Sequence, residues 1–360
     1  LATWTTKALA GIASKIFSSK DANQPFSLAR IAQSAKRVLV VPPYGLAEML
    51  LLYPALTLLR SVLPESRVIC LVQDGQSDLF RSIDLVDDFV DFPKISGARG
   101  IWGYRPFVAE IRERMVEAAF YFDFRHDFYR VVLPLLSGAR LRFTRKGEIG
   151  YPLFNIEVVP GSSSTYFREL NLSLVKFLSA DGRGWRQWEL PETEIKIARE
   201  IVKFRKPNPQ DLLVGVDLSA TKSEERPPFD VQIRLARSFA ALKSSRIALL
   251  SDPVPAIKED EIRRIGPYDW LDIPRKSFRD TLGIMSQCDL LITANTNLFH
   301  FAIAIGVPAF VLFSENDDGR WVPSEGRFEL VEQEVWKSTP PAKLAMTMRD
   351  FVCSGARTQA

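Results

Sequence analysis

From Arg37 onward the chain alternates between short, wholly apolar runs and longer amphipathic ones. RVLVVPP is followed by LAEMLLLYPALTLLRSVLP and then by RVICLVQ, a buried strand, a helix and a second buried strand. This order makes a βαβ unit and predicts a parallel sheet covered by helices. Further strands are expected at DDFVDFP (Asp87 to Pro93) and AAFYFDF (Ala118 to Phe124), with a helix over Tyr104 to Glu117 between them. A serine run then caps a helical stretch, YFRELNLSLVKFLSADG, which leads into a Pro- and charge-rich connection through Pro209. A second α/β series follows, with strands DLLVGVDLS, RIALLSD, DLLIT and VPAFVLF and helical patterns over Val231 to Leu242 and Phe278 to Ser286. The amphipathic stretch Pro341 to Val352 is a final helix that can pack on either half.

The 360 residues exceed one ordinary core and suit two domains. The expected layout is an N-terminal segment 1–30, a first domain 31–175, a second domain 176–340 and a C-terminal helix and tail 341–360, the boundary falling near residues 165 to 185. No apolar run approaches the ~18 residues of a membrane span. Three scattered cysteines without CxxC spacing fit neither a disulfide framework nor a zinc site and suit a reducing cytosol. With His126 and His300 as its two histidines, the chain is poorly equipped for a multi-histidine metal centre.

Charge changes the picture at one place. Of the net charge of +4, residues 1–40 carry an excess through six basic residues against Asp21, and the remainder is close to neutral. That distribution does not suit a nucleic-acid-binding body. Residues 1–20 place Trp4, Ala8, Ile12 and Ile16 at i, i+4 spacing with lysines elsewhere, a pattern fit either to lie on an anionic membrane surface or to dock on the protein's own body. Lys7 and Lys15 interrupt the apolar section, unlike a signal peptide.

Candidate chemistry lies where strands end. In LITANTNLFHFAIAIG a strand over Asp289 to Thr293 and a helix over Leu298 to Ile305 leave Asn295, Thr296 and Asn297 in the turn at the strand's carboxyl edge, where open parallel sheets bind ligands. The unpaired N–H groups of the helix start suit a phosphate, and His300 can add a side-chain donor. A capped helix with a packed core histidine explains the same residues. At the first strand, the turn from Pro42 to Ala47 also lies at a carboxyl edge. There Glu48 is either a proton acceptor for a substrate hydroxyl or a first-turn glutamate favoured by the helix dipole. Arg140, Arg142, Arg145 and Lys146 form the densest basic cluster outside the N-terminus, either meeting phosphates or lying on a solvated face.

Together these segments resemble glycosyltransferase family nine, the ADP-heptose:lipopolysaccharide heptosyltransferase-like enzymes. RVLVVPPYGLAEMLLLYPALTLLRSVLPESRVICLV is similar to the family's opening, with Ala47-Glu48 in place of Gly-Asp and Tyr53-Pro54-Ala55-Leu56 in place of Thr-Pro-Ala-Leu. FDFRHDFYRVVLPLLSGARLRF resembles the Asp-Leu-Gln-Gly-x-x-Arg segment, and LITANTNLFHFAIAIGVPAFVLF the turn Asp-Thr-Gly-x-x-His, with Thr296 and His300 retained. DDGRWVPSEG matches the tail after the last strand. The resemblance covers roughly residues 36 to 350.

It implies a GT-B architecture, two facing Rossmann-like domains with parallel sheets, the first binding acceptor and the second a nucleotide diphosphate sugar such as ADP-heptose. It implies an inverting, metal-independent transfer without cofactor to a cell-envelope glycolipid or polysaccharide, by a cytoplasmic enzyme; residues 1–20, where they lie on an anionic surface, place it on the inner face of the bacterial inner membrane. Carried onto this sequence, Glu48 is the base. Asn295, Thr296, Asn297, Leu298, His300 and Lys222 surround the donor diphosphate; Asp123 and Arg130, in register with the family segment, face the acceptor, and Arg125, Arg142, Arg145 and Lys146 are further acceptor-side candidates. Three departures stand out. Glu225-Arg226-Pro227-Pro228 replaces Lys-x-Trp-Pro, Asn295 and Asn297 replace aspartate and glycine, and Ser314 to Asp318 replaces Gly-Pro-Thr-Asp-Pro. They support the alternative of a catalytically silent relative that binds a glycolipid, nucleotide or protein partner.

Overall fold

The computed structural model describes residues 28–73, 84–93, 100–124, 127–147, 149–160, 166–179, 186–206, 208–219, 227, 229–251, 277–315 and 317–355. Its helices are α1 (Leu28–Gln33), α2 (Leu46–Val62), α3 (Gly100–Glu113), α4 (Phe128–Leu136), α5 (Phe167–Lys176), α6 (Glu192–Arg205), α7 (Phe229–Leu242), α8 (Phe278–Met285), α9 (Asn297–Ile305), α10 (Gln333–Ser338) and α11 (Pro341–Gly355). The strands are β1 (Arg37–Val41), β2 (Arg67–Val72), β3 (Asp88–Asp91), β4 (Ala118–Tyr121), β5 (Leu141–Arg145), β6 (Ile156–Val158), β7 (Leu212–Asp217), β8 (Ser245–Leu250), β9 (Leu290–Ala294), β10 (Ala309–Leu312) and β11 (Phe328–Val331).

They form two parallel sheets. The first has six strands in the order β3-β2-β1-β4-β5-β6, the second five in the order β11-β10-β9-β7-β8. In each, the chain direction of strand addition reverses once, between β1 and β4 and between β7 and β9, and such reversals open a crevice at the strands' carboxyl ends. Val38 pairs with Val68 on one side and Ala118 on the other. Val216 lies beside Ile292, which brings the ends of β7 and β9 together. The expected two-sheet α/β organisation is met.

Alternation along each strand feeds two layers. Val38, Val40, Cys70, Phe120 and Phe143 point toward α2 and α5, while Leu39, Val41, Ile69 and Tyr121 point toward α3 and α4. Helix α2 is apolar nearly all round because it is buried on more than one face. It packs between the first sheet and α9, so one apolar cluster runs from Val38 and Leu52 to Phe299 and Val311 and joins both sheets. Leu344, Ala345 and Met348 of α11 share a cluster with Ile233, Ala236 and Phe239 of α7, which settles the C-terminal helix on the second sheet's side.

Two sequence expectations change. The charge-rich connection before Pro209 contains helix α6, whose Ala198 and Val202 are buried four residues apart and whose first turn carries Glu192 and Glu194 against Lys203 and Arg205 in the last. That charge order complements a helix dipole and outweighs the stretch's polarity. The helix before β4 is α3, displaced toward the N-terminus relative to Tyr104–Glu117. Residues 1–20, Lys222 and Arg125 lie outside the described residues. Among the described residues no helix is long and apolar enough to cross a membrane.

Candidate active site

The two crevices face each other, and a helix begins at each. At the first, Gly45 ends the Pro42-Pro43-Tyr44 turn and caps α2 with φ of 101°, a left-handed conformation that suits glycine. The carboxylate of Glu48 folds back over it, so closely that a Cβ on residue 45 would meet Glu48 Oε2 at 2.0 Å. Glu48 is therefore held at the helix start and is only 8% exposed.

Below this turn lies a buried ion pair. Arg130 Nε is 3.1 Å from Asp123 Oδ2, the two side chains being 1% and 0% exposed. Arg130 also donates to the Pro42 carbonyl and lies under the Tyr44 ring, 4.0 Å from its centre. Burial raises the Tyr44 phenol above its ordinary range, with the Arg130 guanidinium opposing the shift. Two of the six residues expected at the acceptor, Asp123 and Arg130, thus sit beneath the turn and hold it.

The basic cluster divides because β5 alternates. Arg145 points inward, donates to the Phe122 carbonyl at 3.1 Å and to Asn171 Oδ1 at 3.4 Å, and stacks 3.8 Å from the centre of the Phe124 ring. Arg142 points the other way and holds the carbonyls of Ala139, Pro152 and Leu153. Lys146, at the strand's carboxyl end, is exposed.

At the second crevice, Thr296 caps α9 through its backbone, but its side chain caps nothing. Its hydroxyl goes instead to Asp217 Oδ2, at the end of β7, which also accepts from Thr293 Oγ1 at 2.7 Å. Asp217 Oδ1 accepts from the Ser219 N–H at 2.8 Å, and the residue is fully buried. Gly306, at φ 80°, closes the far end of α9 in the left-handed conformation.

Hydrogen bonding fixes the state of His300. Asp317 Oδ1 can only accept, so Asn295 presents its NH2 to it at 3.1 Å. The Asn295 oxygen then faces His300 Nε2 at 3.3 Å and requires an N–H there. Burial pushes the imidazole pKa down to about 3, so the ring is neutral and Nδ1 keeps a lone pair. That atom is buried and has no hydrogen-bond partner among the described residues. His300 is thus an acceptor at Nδ1, where a donor to phosphate was expected.

The halves meet at these two helix starts. The Ala47 N–H, in the first turn of α2, donates to Asn297 Oδ1 of α9 at 3.2 Å. Nearby, rings run from Phe124 through Phe167 and Trp321 to His300, with centres 4.1, 4.6 and 5.2 Å apart in turn. Arg168 on α5 pairs with Glu325 at 2.6 Å. The sequence pointed to the ANTN turn, His300 and Glu48. It did not single out Asp217 or the Phe167–Trp321 contact, though an acid closing the apolar strand LLVGVD was the visible signal for the former.

No family model matches the sequence, and no curated protein does. Solved structures do. A family 9 glycosyltransferase from Veillonella parvula superposes with a TM-score of 0.71 at 15% identity, over 89% of this chain and 98% of its own. The chain has the GT-B fold. E. coli ADP-heptose lps heptosyltransferase II gives a TM-score of 0.68 at 14% identity, over 89% of this chain and 99% of that one. E. coli heptosyltransferase WaaC, solved with ADP, gives 0.62 at 14% identity, over 89% and 98%. The GT-B fold and its heptosyltransferase-like form agree with the resemblance expected from the sequence.

Proposed function

We propose that this chain is an inverting, metal-independent glycosyltransferase that moves a heptose or related sugar from a nucleotide diphosphate to a cell-envelope glycolipid or polysaccharide. The observation that carries the reading is the meeting of two helix starts, one from each sheet, at the Ala47–Asn297 hydrogen bond. One start holds a carboxylate, and at the other the side chain of the N-cap residue Thr296 bonds none of the first-turn N–H groups. WaaC, of like fold, was solved with ADP, which supports a nucleoside diphosphate here.

In this mechanism Glu48 takes the proton of the acceptor hydroxyl as the acceptor oxygen bonds to the anomeric carbon. The bond from that carbon to the diphosphate oxygen breaks on the opposite face, and its electron pair leaves with the diphosphate. The backbone N–H groups at the start of α9, and the positive end of its dipole, stabilise the developing charge. Asn295, Thr296 and Asn297 shape the turn, Leu298 contributes its N–H, and His300 Nδ1 accepts from a donor hydroxyl. On the acceptor side, Tyr44 and Lys146 face the substrate, while Asp123 and Arg130 hold the turn. Residues 1–20 attach the enzyme to an anionic membrane face in the cytoplasm.

The alternative, a catalytically silent relative, is favoured by one observation, the burial of the Glu48 carboxylate against Gly45. Turnover separates the two. Incubation of the wild type with ADP-, UDP- and GDP-sugars and lipid-linked acceptors is expected to release nucleoside diphosphate. Glu48→Gln keeps the shape but lacks the base, and transfer should fall about 10²- to 10⁴-fold with donor affinity nearly unchanged. Full activity in that variant excludes Glu48 as the base, and no turnover by the wild type favours the silent reading.

A further inference from the structure

Threonine is a good helix cap, yet Thr296 does not cap α9 with its side chain. A buried carboxylate 79 residues away takes the hydroxyl instead. Asp217 holds both Thr293 and Thr296 on one oxygen and anchors its other oxygen to the Ser219 N–H, so its orientation is fixed from two sides. The Thr296 hydroxyl is thereby turned toward β7 and away from the first-turn N–H groups of α9. At the same helix start His300 Nδ1 is buried and has no hydrogen-bond partner among the described residues.

We infer that Asp217 is a positioning residue for anion binding: by engaging the Thr296 hydroxyl it prevents that side chain from capping α9, and leaves the helix start open to a diphosphate. The inference rests on the function proposed above. Its consequence runs against simple electrostatics. A carboxylate near an anion site repels the anion, so deleting it should strengthen binding on charge alone. If Asp217 acts by diverting Thr296, deleting it frees the hydroxyl to cap the helix and to compete with the ligand, and binding weakens.

Calorimetric titration of the full chain with ADP and with inorganic pyrophosphate reads the sign. Asp217→Ala should weaken both about fivefold, the cost of displacing an ordinary helix cap. The double variant Asp217→Ala/Thr296→Val has no hydroxyl to cap with and should regain most of that loss, which a merely structural lesion would not do. Asp217→Asn, which still offers an oxygen to Thr296, should also rescue the alanine defect. Should Asp217→Ala fail to fold, Asp217→Ser, which keeps a polar atom for the Ser219 N–H, carries the same comparison. Unchanged or tighter binding by the alanine or serine variant, or no regain in the double variant, overturns the role of Asp217 alone. A wild type that binds neither probe overturns the proposed function with it.

Discussion

The starts of α2 and α9 are alike in position and opposite in chemistry. Each follows the strand at which its sheet's order reverses, and each sits at a carboxyl edge. The start of α2 is closed: Glu48 lies back on Gly45, and Asn297 from the other half accepts the Ala47 N–H. The start of α9 lacks the cap of its own N-cap side chain, because Asp217 has taken the Thr296 hydroxyl that would supply it. A helix start that already carries a carboxylate suits a base, and one left without a side-chain cap suits a departing anion. In the proposed transfer the two halves of the displacement fall to two helices with the same dipole, and what differs is where their capping groups go.

Each start depends on a different buried polar group, and disturbing one at a time separates them. The larger effect is expected at the first. Arg130→Met removes the buried guanidinium that pairs with Asp123 and the donor to the Pro42 carbonyl, which should lower unfolding free energy by about 3 to 5 kcal/mol. Urea denaturation measures it. A loss below ~1 kcal/mol would mean that the turn under Tyr44 and Glu48 does not depend on the pair.

An effect spread over pH is expected at the second. His300 is held neutral with its pKa moved from 6.5 down to about 3 by burial, so the folded state refuses a proton that the unfolded state binds. Its contribution to stability is fully present above pH 6.5 and is lost as pH falls toward 3, by at most about 1.4 kcal/mol for each pH unit. His300→Gln should flatten the decline in unfolding free energy between pH 6.5 and 4 relative to wild type. Parallel curves would mean that His300 is charged in the fold and that the Asn295 contact does not set its state.

Much of the frame was legible because it is local. The buried strands and the ANTN turn follow from apolar runs of the right length, and the positions of Glu48 and His300 follow from which strands they succeed. What was not legible depends on partners distant in sequence. Asp217 reads as the polar end of a strand until Thr293 and Thr296 are brought to it from 76 and 79 residues away. Arg145 reads as part of a basic surface until the pleat of β5 turns it onto Phe122 and Phe124 while Arg142 faces the opposite way. Helix α6 was masked by its own charges, since Ala198 and Val202 are its only fully buried positions.

The open start of α9 is the centre of this account, and the backbone amides of Leu298 and Phe299 report on it directly. In a transverse-relaxation-optimised NMR titration of the full chain with ADP and with inorganic pyrophosphate, both amide signals should move downfield together, saturating at the affinity found by calorimetry, as their N–H groups donate to the bound anion. Binding that leaves both amides in place would put the anion elsewhere and contradict the account, as would the absence of binding by either probe.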